Sequence, residues 1–260
     1  MLFRHSSLRS HCLRPIGRLR CEARGAADGI SALDGIMIEI EQLRFSYRDS
    51  VFRLHVPQLR IEDGQSVVVA GPSGSGKTTL LNLIAGILPA ESGRILIDST
   101  CITQLADPAR RLFRLQQIGL VFQDFQLIDY LDVLDNVLLP CRIHPSVRLT
   151  DALRARAHDL LDAVGIRQHS RRSIVRLSQG ERQRAALCRA LLLSPRLVLA
   201  DEPTGNLDPR NSGRMVELML EETRRAGATL IMVTHDHSLL SRFDRTIPFE
   251  SFLEHQESSG

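Results

Sequence analysis

The sequence predicts an α/β fold: a mainly parallel core sheet, an antiparallel β portion ahead of it and an α-helical insertion within it. Three observations carry the prediction. A glycine-rich turn, Gly71 to Thr78, joins the apolar run Val67-Val68-Val69-Ala70 to the helical run Thr79 to Ala85, the strand–loop–helix order of a phosphate-cradling P-loop. Four strand-to-helix alternations run on from that turn, which favours parallel strands flanked by helices. Two alternating apolar segments lie close together before it, as adjacent antiparallel strands do.

The elements follow in order. Ile38, Ile40, Leu43, Phe45 and Tyr47 alternate as one strand, and Phe52, Leu54 and Val56 as a second. Val67 to Ala70 reads as a buried strand, Arg94 to Asp98 as a short one and Ile118 to Gln123 as another apolar one. From about Asp124 to Arg176 the pattern turns helical. Leu153, Ala157, Leu160, Leu161 and Val164 share a face there, with Thr150 placed to N-cap and Gly165 to stop the helix. Arg184 to Leu193 has helical periodicity, and Leu197 to Ala200 and Leu230 to Val233 read as strands.

Composition narrows the class. The 260 residues suffice for one large domain or a domain with a subdomain, and a hydrophobic content of 43% with 24% charged residues is that of a globular protein. No stretch approaches the roughly 20 apolar residues that span a bilayer, so any membrane association must come through a partner. The formal net charge of +3 sits in residues 1–36, and the remainder is balanced. A balanced body gives no reason to expect nucleic-acid binding.

Residues 1–36 are expected to be disordered or to lie upstream of a true start at Met37. Their arginine-rich, acid-poor character also fits a transit peptide, the minority reading, and they lack the apolar core of a secretory signal. Residues 251–260 read as a tail. Five scattered cysteines (Cys12, Cys21, Cys101, Cys141, Cys188) never fall in C-x-x-C spacing, which argues against a disulfide framework or a zinc site.

The chain uses arginine for every basic position except one: Lys77 is its single lysine. An ammonium is a compact charge with rotatable donors, suited to sit between phosphate oxygens where a planar guanidinium is too wide. The string Gly71 to Thr78 fits G-x-x-x-x-G-K-[ST]. Gly71, Pro72, Ser73, Gly74, Ser75, Gly76, Lys77 and Thr78, with the adjoining Thr79, are the expected phosphate contacts. Glycines let successive N–H groups face the ligand, and the helix beginning near Gly76 turns its positive end the same way. The Thr78 hydroxyl is placed for Mg²⁺. Downstream, Leu197-Val198-Leu199-Ala200 ends in Asp201 and Glu202. Asp201 would orient Mg²⁺ and its waters, and Glu202 would polarise a water that attacks a γ-phosphate. Taken alone, the two acids could equally cap the helix after Pro203.

Between these motifs lies Leu177-Ser178-Gln179-Gly180-Glu181-Arg182-Gln183. Here the sequence resembles the ATP-binding-cassette (ABC) ATPases, whose signature of Leu-Ser-Gly-Gly-Gln type stands at this place. The resemblance implies the ABC ATPase fold, a P-loop NTPase, over about residues 37–250, with ATP and Mg²⁺ as ligands and a helical subdomain at about 124–176. It implies that Ser178 and Gly180 contact the γ-phosphate of ATP held by a second copy. Gln123, in Val-Phe-Gln-Asp, matches the glutamine that contacts Mg²⁺ and the attacking water. Asp208 matches the aspartate at the dimer seam, His235 the histidine that contacts the γ-phosphate and Tyr47 the aromatic that stacks on adenine. As isolated residues, His235 and Tyr47 would more often be structural.

Gln179 departs from the family's glycine, adding a side chain where the γ-phosphate must approach, and Glu181 replaces glutamine. The stretches 199–208, 180–184, 125–128 and 133–137 look like the lipoprotein-releasing and macrolide-exporter branch, with the cell-division ATPase related to it. That likeness implies a homodimeric ATPase on the cytoplasmic face of the inner membrane, driving a permease with an extracytoplasmic domain by mechanical transmission. A conventional exporter or importer ATPase stays open, as does a cassette acting on DNA or ribosomes. A small-molecule P-loop kinase is the weakest alternative.

Overall fold

The structure, a computed structural model, describes residues 35–253 apart from Asp49 and Asn206. The expectations for residues 1–34 and 254–260 fall outside the described residues.

Two sheets form the frame. The first is antiparallel and runs in the order β2-β1-β4-β5, from β1 (Ile36–Ser46), β2 (Arg53–Glu62), β4 (Ser92–Ile97) and β5 (Thr100–Cys101). The second contains β3 (Ser66–Ala70), β6 (Ile118–Val121), β7 (Leu197–Asp201), β8 (Thr229–Thr234) and β9 (Arg245–Pro248) in the order β6-β7-β8-β3-β9. Every pairing in this second sheet is parallel. Its strands read as continuous apolar runs because both faces are covered.

Alternation along those strands divides the core. Val67, Val69, Leu197, Leu199, Ile231 and Val233 pack toward the antiparallel sheet and α1 (Lys77–Ile84). Val68, Val198, Ala200, Leu230 and Met232 face the other way, into a cluster with α5 (Asp151–Ala163), α6 (Gln179–Leu191) and α7 (Pro209–Arg225). Cys188 is fully buried in this second cluster, a small apolar core residue whose thiol burial pushes its pKa up. Gly119 of β6 lets α6 approach closely, since a Cβ there would lie 2.5 Å from the Ala190 carbonyl oxygen.

The expected helical stretch between β6 and β7 is broken into α3 (Val133–Val137), α4 (Pro140–Ile143) and α5. Asn136 explains part of the break. Fully buried, its Oδ1 accepts from the Ile128 N–H at 2.7 Å, and its amide donates to the carbonyls of Ile128 and Asp132. That pins the loop before α3 instead of extending a helix. Asp132 N-caps α3 and Thr150 N-caps α5, and the chain leaves α5 through Gly165 at φ +72°.

The sequence reading did not assign α2 (Asp107–Gln117), whose residues are exposed or half-buried and which rests on the core through Phe113. Asp107 pairs with Arg110 and Arg111 along its first turn, and Arg114 donates to the carbonyls of Ala85 and Gly86.

The α6 N-terminus is closed by a capping box. Ser178 Oγ accepts from the Glu181 N–H, while Glu181 Oε2 takes the Ser178 N–H at 2.8 Å and the Ser178 hydroxyl at 2.7 Å. His169 Nε2 stands 3.0 Å from the other carboxylate oxygen. The Ser178 hydroxyl, and then its N–H, hold the Glu181 carboxyl below its ordinary range. A lowered folded pKa means that the stabilisation is complete above the unfolded value and fades as pH falls through the folded one. Because solvent screens this carboxylate, Glu181→Ala is expected to cost only about 0.2–1 kcal/mol near neutral pH. In strongly acidic buffer the difference from wild type should shrink, as read by urea unfolding at both pH values.

Candidate active site

Register brings the site together. In the parallel sheet Ala70 pairs with Thr234, and Asp201 pairs with Val233. The C-terminal ends of β3, β8 and β7 therefore lie side by side, and the loops leaving them carry the P-loop, His235 and Glu202. Ligands of open α/β sheets bind at this edge of the strands.

The P-loop turns through Gly74 at φ +75° and Gly76 at φ +110°, and Gly76 is the N-cap of α1. A side chain at Gly76 would collide with Phe52, whose ring atom Cε2 lies 2.4 Å from where its Cβ would stand. Lys77 is 4% exposed and runs back under the loop, donating to the carbonyls of Gly71 and Pro72 at 2.8 Å each. Ser75 Oγ is buried and, among the described residues, has no hydrogen-bond partner. An orphaned hydroxyl in a loop of converging N–H groups suits a ligand rich in acceptor oxygens.

Glu202 closes the site from the other side. It is a buried carboxylate on a residue with φ +44°, a left-handed conformation that costs a non-glycine residue about 1–3 kcal/mol. Its N–H donates to the Val233 carbonyl, and its own carbonyl accepts from Gly205 N–H, which fixes the turn. The side chain then meets Lys77 Nζ at 3.2 Å through Oε1 and His235 Nδ1 at 2.5 Å through Oε2. An ionised carboxylate only accepts, so Nδ1–H donates.

Asp201, one residue earlier, accepts from the Thr78 hydroxyl at 3.0 Å. Burial raises the Asp201 pKa, and the Thr78 bond partly counters it. Gln123 follows β6, with its Nε2 3.3 Å from where a Cβ on Gly205 would stand. It thus lies against the turn that follows Glu202. The hydroxyl of Thr78, the carboxylate of Asp201 and the amide of Gln123 are hard oxygen donors. Among the described residues no group of three His, Cys, Asp or Glu side chains could hold a metal ion. That sparse donor set fits Mg²⁺, which takes one or two carboxylates and completes its shell with substrate phosphates and water.

Tyr47 lies just beyond the end of β1 rather than inside it. Its hydroxyl bonds Thr79 Oγ1 at 2.9 Å, and its ring meets Phe45 edge-on at 4.8 Å and Phe52 at 5.9 Å. Thr79 is thereby engaged by Tyr47, beside the P-loop. Phe52, unremarked in the sequence apart from its strand pattern, covers Gly76 and belongs to the same aromatic group.

Ser178, Gly180 and Asp208 are not part of this cluster. They line a separate groove of about 590 Å³ between α6 and α7, together with Gln179, Arg184 and Arg214, and it includes no P-loop residue. Asp208 N-caps α7, accepting from the Asn211 N–H at 3.1 Å. Sequence reasoning did not single out Arg184 or Arg214, because arginines on a helix usually mark a solvated face.

Comparison with known proteins places the chain in a family. The family profile described as ABC transporter matches residues 54–205. An ABC transporter ATP-binding protein of Mycobacterium tuberculosis is 42% identical over 214 residues, covering 81% of this chain and 86% of that protein. The lipoprotein-releasing system ATP-binding protein LolD 1 of Rhodopseudomonas palustris is 41% identical, over 75% of this chain and 85% of its own length. Among solved structures, the ATP-binding cassette MJ0796, a dimer in a post-hydrolysis state bound to ADP and Pi, superposes with a TM-score of 0.71. It is 29% identical, and the match covers 84% of this chain and 97% of that one. CbiO1 from Clostridium perfringens, part of the transporter complex cbiONQ, gives a TM-score of 0.74 at 29% identity over 83% and 86% of the two chains. A P-loop, two strand-end carboxylates and a half-exposed histidine at one sheet edge, in a chain with these relatives, are those of an ATPase. The chain belongs to the ABC transporter family and is an ATP-binding and ATP-hydrolysing subunit of such a transporter.

Proposed function

We propose that this subunit drives a permease of the lipoprotein-release and macrolide-export type, converting closure around ATP into mechanical work across the membrane. The observation that carries the chemistry is the grip of Lys77 and His235 on the two oxygens of Glu202. The support for the branch is the identity to lipoprotein-releasing ATPases, 36% over 83% of this chain for the Legionella pneumophila protein.

In this reading the P-loop amides, Ser75 and Lys77 receive the phosphates of ATP. Lys77 exchanges the Gly71 and Pro72 carbonyls for phosphate oxygens, which loosens its pairing with Glu202. The freed carboxylate oxygen accepts a proton from the attacking water, while Nδ1–H of His235 keeps the other oxygen oriented. Thr78, Asp201 and Gln123 would hold Mg²⁺, which neutralises charge on the phosphate oxygens when bound. Tyr47, with Phe52 beside it, offers the adenine a stacking face.

Two copies would complete each site. Ser178, Gly180 and Asp208 lie in a groove of their own, so they serve ATP held on a second copy, P-loop facing signature. The dimeric structure of MJ0796, a bacterial ABC transporter cassette, supports the pairing of two copies. The domain frame proposed is residues 37–250, with about 124–176 as the helical subdomain. Among the described residues no helix is long and apolar enough to cross a membrane. A groove of about 470 Å³, lined by Phe122, Gln126, Leu139, Pro140 and Ile143, lies beside Gln123 and is the proposed seat of the permease. The subunit would then work at the cytoplasmic face of the inner membrane.

Glu202→Gln is expected to slow phosphate release by about 10²–10⁴-fold while ATP affinity holds; undiminished turnover would remove Glu202 from its role. Lys77→Ala should instead weaken ATP binding itself, as measured with a fluorescent nucleotide. Purifying tagged Glu202→Gln protein with ATP from detergent-solubilised membranes tests the branch. A permease with a large extracytoplasmic domain supports it, and ribosomes or DNA in its place would refute it.

A further inference from the structure

The loop after Gln123 contains an unusual backbone. Phe125 and Gln126 are consecutive non-glycine residues at φ +59° and +50°, in the left-handed region that L side chains avoid. Local bonds do not account for it: the Phe125 N–H reaches the Phe122 carbonyl and the Gln126 N–H the Asp124 carbonyl, which closes a turn without selecting its hand. A long-range contact does. Arg189 Nη2 donates to the Phe125 carbonyl at 2.6 Å, and Nη1 donates to the Gln126 carbonyl. One planar fork spans two successive carbonyls, a task its rigid geometry suits and a single ammonium cannot match.

The side chain is half-buried, and burial lowers the guanidinium's pKa with no carboxylate paired to it among the described residues. A half-buried cation held by two neutral carbonyl oxygens gives up part of its hydration without gaining a counter-charge. Its position gives it a use. Arg189 lies on α6, eleven residues and about three turns from Ser178. Gln123 stands two residues before Phe125. Arg189 and Gln126 both line the groove beside β6.

We propose that Arg189 is a positioning residue for ATP hydrolysis: its guanidinium holds Phe125 and Gln126 left-handed and thereby sets Gln123 against the turn of Glu202. The same clamp fastens that loop to α6, so the groove, the Gln123 loop and the signature helix move as one body. The inference rests on the role proposed above for Gln123.

The test uses the full chain and steady-state phosphate release against ATP concentration. Arg189→Lys keeps the charge but loses the fork, and kcat should fall about tenfold, within the scale of a small misplacement, with KM for ATP within about twofold. Adding Gln126→Gly should restore most of kcat, because glycine adopts positive φ without strain. Gln126→Ala in the same background should restore none. Undiminished kcat in Arg189→Lys, or equal rescue by alanine and glycine, overturns the clamp. Gln123→Ala is measured in parallel. If it is slow while Arg189→Lys is normal, only the clamp fails; if it is normal, Gln123 has no role and the proposal falls with it. Should Arg189→Lys not fold, Gln126→Val and Gln126→Gly are compared with Arg189 intact. A β-branched residue resists this backbone, so valine should lower kcat and glycine preserve it; equal rates would overturn the proposal.

Discussion

The buried pair of Lys77 and Glu202 is the constraint around which the site is built. Removing an ammonium and a carboxylate from water is costly unless each finds good partners. Lys77 has two carbonyls and Glu202 has His235 as well as Lys77. Meeting those demands requires a loop that bends its carbonyls inward, a left-handed residue after β7 and a histidine after β8. The first comes from Gly74 and Gly76, the second from a turn closed by Gly205, and the third from strand register. Loosening any of them leaves a charge without its partner, so the site is held together by the same groups to which the proposed hydrolysis assigns its chemistry.

Two sheets divide the labour. The antiparallel one brings Tyr47 and Phe52 to the P-loop, while the parallel one places the carboxylates and the histidine. The α3–α5 insertion and α6 lie on the opposite face of the parallel sheet from α1, and this separates the signature groove from the P-loop within one chain. Within one copy the two groups of residues stay apart, and the capping box engages the Ser178 hydroxyl with Glu181.

The P-loop, Asp201 and Glu202 were legible in the sequence because each stands at the end of an apolar strand, and strand ends in a parallel sheet converge; His235 was reached through the family resemblance and its place after another such strand. The caps at Thr150 and Gly165 were legible for a similarly local reason, whereas Ser178 was singled out as a phosphate contact and its capping box with Glu181 appears only in the structure. What escaped was non-local or apolar-poor. The contact of Arg189 with Phe125 spans 64 positions, and nothing in either segment names the other. The helix α2 rests on the core through half-buried Phe113, and the sequence reading did not assign it. Asn136 reads as an ordinary polar residue in a helical stretch, and only its burial shows that it interrupts that stretch. Tyr47 was read as the last residue of a strand, whereas its hydroxyl on Thr79 is what ties β1 to α1.

The burial of the single lysine has a practical side. Arginine supplies every other basic side chain, so the only ε-amine in the chain sits 4% exposed beneath the phosphate loop. Acylating reagents, acetyl donors and ubiquitin ligases all seek exposed ε-amines, and the folded surface offers them none. Any such mark on this protein's side chains would have to be placed before folding or during opening of the nucleotide loop, which makes amine acylation a reporter of that loop's state.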